Sequence, residues 1–306
     1  DGVLSNTGTL AAQQRLDARG GTVDSTGTLA AGVNQDGTVA APADLVVSAT
    51  HALTATGRNQ ASGNATLRAG NVTLAGSQTS AGGNLDLTAS AGDLDLTGAT
   101  NTAGAGLTAN ASGAVVNDRG QMSSRGATTL TAGSVSNAGG QLVSQGAMTL
   151  QSAGVINNGQ GTVQAGGALN ASAASLDNTG GRIASLNADG LSVGVTGTLT
   201  NVPGTTATGA QGGVIGGNGN VRVVAGDLVN HGQISAQGDA SLQAAALDNS
   251  SGSLTAGGAL DATIAGSLNN RQGTISGAST SLAAQSLDNS AGLIEGNQLA
   301  MRTSAD

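Results

Sequence analysis

Val115-Val116-Asn117, Val135-Ser136-Asn137, Val155-Ile156-Asn157, Leu176-Asp177-Asn178 and Leu199-Thr200-Asn201 repeat one wording: an apolar residue, any residue, then asparagine. The wording continues in Leu228-Val229-Asn230, Leu247-Asp248-Asn249, Leu268-Asn269-Asn270 and Leu287-Asp288-Asn289. Successive asparagines stand 20, 20, 21, 23, 29, 19, 21 and 19 residues apart. A fixed period of this length marks a stacked repeat, in which each unit buries its apolar face only against its neighbours.

Each unit has an internal grammar. A glycine follows the asparagine at about the third position, as in Gly120, Gly140, Gly252, Gly273 and Gly292. Two residues later comes an apolar residue: Met122, Leu142, Leu254, Ile275 or Ile294. A further apolar strand ends at Leu130, Leu150, Leu169, Leu191, Leu242, Leu260, Leu282 or Leu299. Apolar–polar alternation bounded by Gly, Asn and Ser reads as short strands joined by turns. Helix is disfavoured by the period of two, the β-branched Thr and Val, and the recurrent glycine. Three strands and three bends per unit describe one coil of an all-β, right-handed parallel β-helix, a β-solenoid of about fifteen coils of roughly 20 residues.

Composition alone points elsewhere. The chain has no Phe, Tyr, Trp or Cys, and Leu, Val and Ile together number 59 of 306 residues. With 52 glycines, such a composition leans towards disorder. A disordered chain has no reason to hold its few large apolar residues in register, so the periodicity decides for order. About four such residues per coil fill a narrow interior, and the interior closes by stacking.

Charge excludes several partners. The net charge is −8; all ten basic residues are Arg, and Glu295 alone among eighteen acids is not Asp. This balance argues against nucleic acid or an anionic membrane as partner. No apolar run approaches the roughly 20 residues that span a bilayer, so no membrane insertion is expected. Residue 1 opens in the middle of a repeat, Leu4-Ser5-Asn6, which reads as an internal segment of a longer chain without a signal peptide. The lack of cysteine suits a cytosolic chain and equally one exported unfolded.

The expected organisation is a single β-helical repeat segment over 1–306. Residues 1–41 hold loose repeats, and residues 42–112 use Gly-Asn/Asp-x-x-Leu instead, as in Gly63–Leu67, Gly70–Leu74, Gly83–Leu87 and Gly92–Leu96. Residues 113–201 are regular, 202–227 form an insertion coil, and 228–306 are regular again. The surplus of the insertion coil falls in 203–213. Insertions in stacked repeats go into loops on one face, often the binding face. Pro203, Thr205, Thr206, Thr208 and Gln211 are therefore candidate partner contacts, against the competing reading of a neutral loop lengthening.

Asn117, Asn137, Asn157, Asn178, Asn201, Asn230, Asn249, Asn270 and Asn289 are expected to form a structural ladder. Identical amides stacked along a parallel coil can bond to one another, and the apolar residue two positions earlier puts each on the inward face. No catalytic, cofactor-binding or metal-ligating residue emerges. Gly82-Gly83-Asn84-Leu85-Asp86 and Gly212-Gly213-Val214-Ile215-Gly216 resemble fragments of a calcium β-roll, but neither recurs at nine residues. Asp86, Asp93 and Asp95 read as the solvated face of one strand; His51 and His231 are solitary. A polysaccharide-cleaving enzyme would want clustered carboxylates and aromatic platforms.

The stretch Leu247-Asp-Asn-Ser-Ser-Gly-Ser-Leu-Thr-Ala-Gly-Gly-Ala-Leu-Asp-Ala resembles the haemagglutinin repeats of filamentous haemagglutinin-like exoproteins and of large contact-dependent growth inhibition proteins. Gly70-Asn-Val-Thr-Leu-Ala-Gly-Ser-Gln-Thr-Ser-Ala-Gly-Gly-Asn-Leu-Asp-Leu resembles their second repeat wording. The resemblance implies a β-helical stalk of a secreted adhesin displayed on a Gram-negative surface. It further implies export through an outer-membrane two-partner secretion transporter, by way of a region absent here, and a host-cell or bacterial receptor. The alternative it carries is a stalk that delivers a growth-inhibiting toxin to a neighbouring cell.

Overall fold

The computed structural model describes residues 2–34, 38, 41–206 and 209–304. Strand accounts for 62% of the chain, and no helix occurs among the described residues. The turns between strands must therefore be tight. The fold is a parallel β-solenoid of about 15 turns, and its contacts divide into two units, Asp1–Ala153 and Gly154–Asp306.

In the first unit a representative coil comprises Leu107–Ala111, Ala114–Val116 and Gln121–Ser124. The next coil repeats it as Thr128–Ala132, Ser134–Ser136 and Gln141–Ser144. All three strand pairs are parallel, with Leu107 opposite Thr128, Val115 opposite Val135 and Met122 opposite Leu142. In the second unit, Leu169–Ala173, Ser175–Asp177 and Arg182–Ser185 stack in the same way. They set Leu191, Leu199 and Ile215 over Leu169, Leu176 and Ile183. Alternation decides which side chains enter: Leu107, Ala109 and Ala111 are buried, whereas Thr108 and Asn110 face outward. Each buried Leu contributes about 1.5–3 kcal/mol, so four such residues per coil suffice only because the coils above and below close the interior.

One inward column of the first unit, at the corner after the short strand, reads Asn6, Ser25, Ala55, Leu74, Leu96, Asn117, Asn137. The facing column across the corner reads Leu10, Leu29, Asn59, Thr79, Asn101, Met122, Leu142. The two exchange polarity between residues 55 and 101: where the first turns apolar, the second turns polar. Asn59 Nδ2 still reaches the corner, donating to the Ala55 carbonyl at 3.0 Å and to Thr79 Oγ1 at 3.1 Å. The corner carbonyls need a donor, and either column can supply it.

The second wording has its own device. Asp44 Oδ1 accepts the Asn64 amide at 2.8 Å, Asn64 Oδ1 the Asn84 amide at 2.9 Å, and Asn84 Oδ1 the Gly106 amide at 2.9 Å. An exposed side-chain oxygen thus binds the backbone one coil later. The glycine that precedes such a residue leaves room for that oxygen: a Cβ on Gly92 would lie 1.9 Å from Asn71 Oδ1.

Candidate functional site

The asparagine ladder is a single link in the first unit and a continuous, largely buried series in the second. In the first, Asn117 Nδ2 donates to Asn137 Oδ1 at 2.8 Å. In the second, Asn158, Asn178, Asn201, Asn230, Asn249, Asn270 and Asn289 bond in series at 2.7–2.8 Å. Each donating amide also reaches a carbonyl of the following coil, as Asn158 Nδ2 does to Arg182 O at 3.2 Å. Asn178, Asn201, Asn230, Asn249 and Asn270 are fully buried. Their amides are spent on the neighbouring coil, which leaves nothing to read a ligand.

Asn157 does not belong to the ladder; Asn158 takes its place. The buried apolar residue of the short strand Val155–Asn157 is Ile156, with Val155 at 41% exposure, and a shift of one residue in a strand sends every side chain to the opposite face. Asn157 instead accepts the Gly159 amide through Oδ1 at 2.9 Å. Two signals in the sequence point to Asn158: the glycine three residues on is Gly161, and Ile156 stands two residues before.

The corner that carries the ladder is one tight turn. In the coil of Asn137, the Gly140 amide closes onto the Asn137 carbonyl at 3.1 Å, and Gly139 adopts φ 62°. Glycine at 140 is obligatory, since a Cβ there would lie 2.1 Å from Asn117 O and 2.5 Å from Asn137 Oδ1. The residue before the ladder asparagine caps the turn. Asp177 Oδ1 accepts the Thr179 amide at 2.9 Å and its hydroxyl at 2.6 Å, and Asp288 does the same for Ser290. Leu-Asp-Asn is therefore three roles in sequence: core, turn cap and ladder. The Ser290 hydroxyl, foremost, holds the Asp288 carboxyl below its usual range.

The insertion builds a small ribbon. From Asn178 to Ile183 is five residues, whereas from the equivalent Asn201 to Ile215 is fourteen. Within this stretch Gly204–Thr206 pairs antiparallel with Gly209–Gln211, Thr205 standing opposite Ala210. The ribbon lies against the preceding turn, where a Cβ on Gly204 would be 2.8 Å from Gly180 Cα. Pro203, Thr205 and Gln211 are exposed, Thr206 ends the first strand of the ribbon, and Thr208 lies outside the described residues.

The charged residues cluster without reactive geometry. His231 Nε2 stands 3.1 Å from Asp248 Oδ2 and 3.3 Å from Ser250 Oγ. Both oxygens approach the same ring nitrogen, whereas a hydrolytic relay needs them on opposite nitrogens. Burial alone would raise the Asp248 carboxyl, but bonds from the Ser250 hydroxyl, His231 and the Ser250 amide hold it below its usual value. Asp86, Asp93 and Asp95 do not share one strand. Asp86 faces outward from Leu85–Ala89, Asp93 Oδ1 accepts the Ala114 amide at 2.7 Å, and Asp95 Oδ1 caps the turn at Thr97. Among the described residues no three His, Cys, Asp or Glu side chains gather as metal ligands, and no helix is long and apolar enough to cross a membrane.

Comparison with known proteins gives this architecture its relatives. The haemagglutinin repeat model matches residues 1–34, 25–98, 80–152, 124–201, 214–272 and 261–304, and passes over the stretch that holds the ribbon. The chain is 53% identical over 256 residues to the tRNA nuclease CdiA-2 of Burkholderia pseudomallei (strain 1026b). That span covers 77% of this chain and 8% of the relative. No solved structure matches. With the haemagglutinin repeat model matching nearly all of this β-solenoid, the chain belongs to the haemagglutinin repeat family.

Proposed function

We propose that this chain is stalk: a stretch of β-solenoid that projects other parts of a large secreted, surface-displayed bacterial adhesin. The observation that carries the reading is the ladder, in which each buried amide is consumed by the next coil. A structure that spends its polar interior on its own continuation is built for extension rather than chemistry, and we assign it no enzymatic activity. The family supports a secreted or cell-surface location on a Gram-negative bacterium, with export through an outer-membrane two-partner secretion transporter.

The likeness to CdiA-2 favours a second reading, a stalk that carries a growth-inhibiting nuclease to a neighbouring cell. One experiment separates the two. The full-length protein is displayed on its bacterium, with or without residues 204–211, and scored for attachment to epithelial cells and for inhibition of co-cultured sibling bacteria. Attachment alone supports the adhesin, and inhibition alone the toxin carrier. Loss of either on removing 204–211 makes the ribbon a receptor contact. If both activities survive a scrambled 1–306 of equal length, the stalk reading fails.

A further inference from the structure

We propose that Asn218 is a self-modifying site, at which the folded chain converts its own asparagine to aspartate and isoaspartate. Asn218 is exposed in the turn between the strands Val214–Gly217 and Val221–Asn230, and Gly219 follows it. Asparagine followed by glycine is the pair most open to ring closure, because no Cβ shields the glycine nitrogen. The Gly219 nitrogen attacks Asn218 Cγ; the new N–C bond forms as the Cγ–Nδ2 bond breaks, and ammonia leaves with the proton taken from the glycine amide. Water then opens the succinimide at either carbonyl, giving aspartate or isoaspartate. No oxidant, reductant or cofactor is consumed.

The structure supplies the selectivity. The described residues contain a second pair of this type, Asn158-Gly159. There the Gly159 nitrogen donates to Asn157 Oδ1 at 2.9 Å, and the Asn158 amide is buried in the ladder against Asn178. Both reacting groups are occupied. At the other pair the Gly219 nitrogen donates to no described group, and Asn218 holds a single side-chain bond, from Nδ2 to the Leu186 carbonyl at 2.7 Å. Sterics hold the pair together, since a Cβ on Gly219 would lie 2.4 Å from Ala188 O.

Conversion also changes the fold locally. Nδ2 is the donor that ties turn 217–220 to the Leu186 carbonyl. A carboxylate in its place sets oxygen against oxygen. The loop 186–190 should loosen as a result.

The test is to age the whole chain at mildly alkaline pH and follow both pairs by tryptic mass spectrometry. Cleavage at Arg125, Arg182 and Arg222 places them on separate peptides, 126–182 and 183–222. The expected result is loss of the amide at 218 with 158 retained, and faster amide exchange in 186–190. Freshly made Asn218→Asp should reproduce the exchange change without ageing, and Asn218→Gln should resist both. The isolated peptide 183–222, aged in parallel, is the control. If it converts while the folded chain keeps its amide at 218, the fold protects the site and the proposal is overturned. Equal conversion at 158 would overturn the selectivity argued from the ladder.

Discussion

At the scale of the residue, one slip of alternation separates a structural amide from a surface one. Asn158 and Asn157 are neighbours of the same type, so replacing each by alanine isolates burial from chemistry. Asn158→Ala strips the ladder of a link and should cost about 1–3 kcal/mol in urea denaturation. Asn157→Ala loses one half-buried turn bond and should cost about 0.5 kcal/mol; equal costs would place both outside the ladder. A second residue carries a desolvation cost instead. Asn101 is fully buried, and neither end of its amide has a partner in the protein. Its stack neighbour, one coil on, is Met122. Asn101→Leu should therefore raise stability by about 1 kcal/mol, the cost of an orphaned polar group removed. A lowered denaturation midpoint would mean that the amide is satisfied in solution. The polarity swap explains why such a residue exists: in this region the corner takes its donor from the facing column, and Asn101 keeps the residue type without the bond.

At the scale of the element, the corner was readable and its reason was not. Period, strand count, ladder column and the site of the long coil all follow from spacing, because stacking forces equivalent residues to recur. The Gly-Asx wording was visible as a pattern, but its cause, a side-chain oxygen reaching the backbone one coil later, depends on contacts some 20 residues apart in sequence. The misplaced Asn157 arose where Val155 and Ile156 are both apolar, so that the tripeptide alone fits two registers. The turn caps carry a pH consequence. Asp248 has a lowered carboxyl in the folded state, so its contribution is fully present above the unfolded value of about 3.9 and is lost as pH falls through the folded value. Acid unfolding followed by circular dichroism should show Asp248→Asn converging on the wild type below about pH 4. A difference that widens in acid would reverse the sign. The ribbon, by contrast, is an addition to a closed coil. Replacing 204–211 with a short turn should change stability by less than about 1 kcal/mol, since loop length is entropically inexpensive. A larger loss would make its packing on Gly180 structural.

At the scale of the whole molecule, stability comes from repetition of uncharged contacts. The ion pairs among the described residues are Arg15–Asp17, Arg19–Asp17 and Arg271–Asp288, all with exposed or half-exposed partners; His231 hydrogen-bonds Asp248 and pairs with it as an ion only when protonated. Such pairs contribute about 0–1 kcal/mol each and are screened by salt. Between low and molar sodium chloride the unfolding free energy should move by less than about 1 kcal/mol. A strong salt dependence would show that the charged surface, not the interior, carries the fold. The ladder has one further property. The links Asn117–Asn137 and Asn158 through Asn289 all run the same way, nitrogen of the earlier coil to oxygen of the later. Asn117 Oδ1, above the apolar Leu96, has no donor, as the first acceptor in such a row must. The amide dipoles therefore point head to tail and polarise one another, which gives each row an arrow. A newly arriving coil meets a waiting N–H and can dock only by presenting a C=O. An asparagine flipped end for end would oppose like atoms on both sides, so each coil proofreads the orientation of the next.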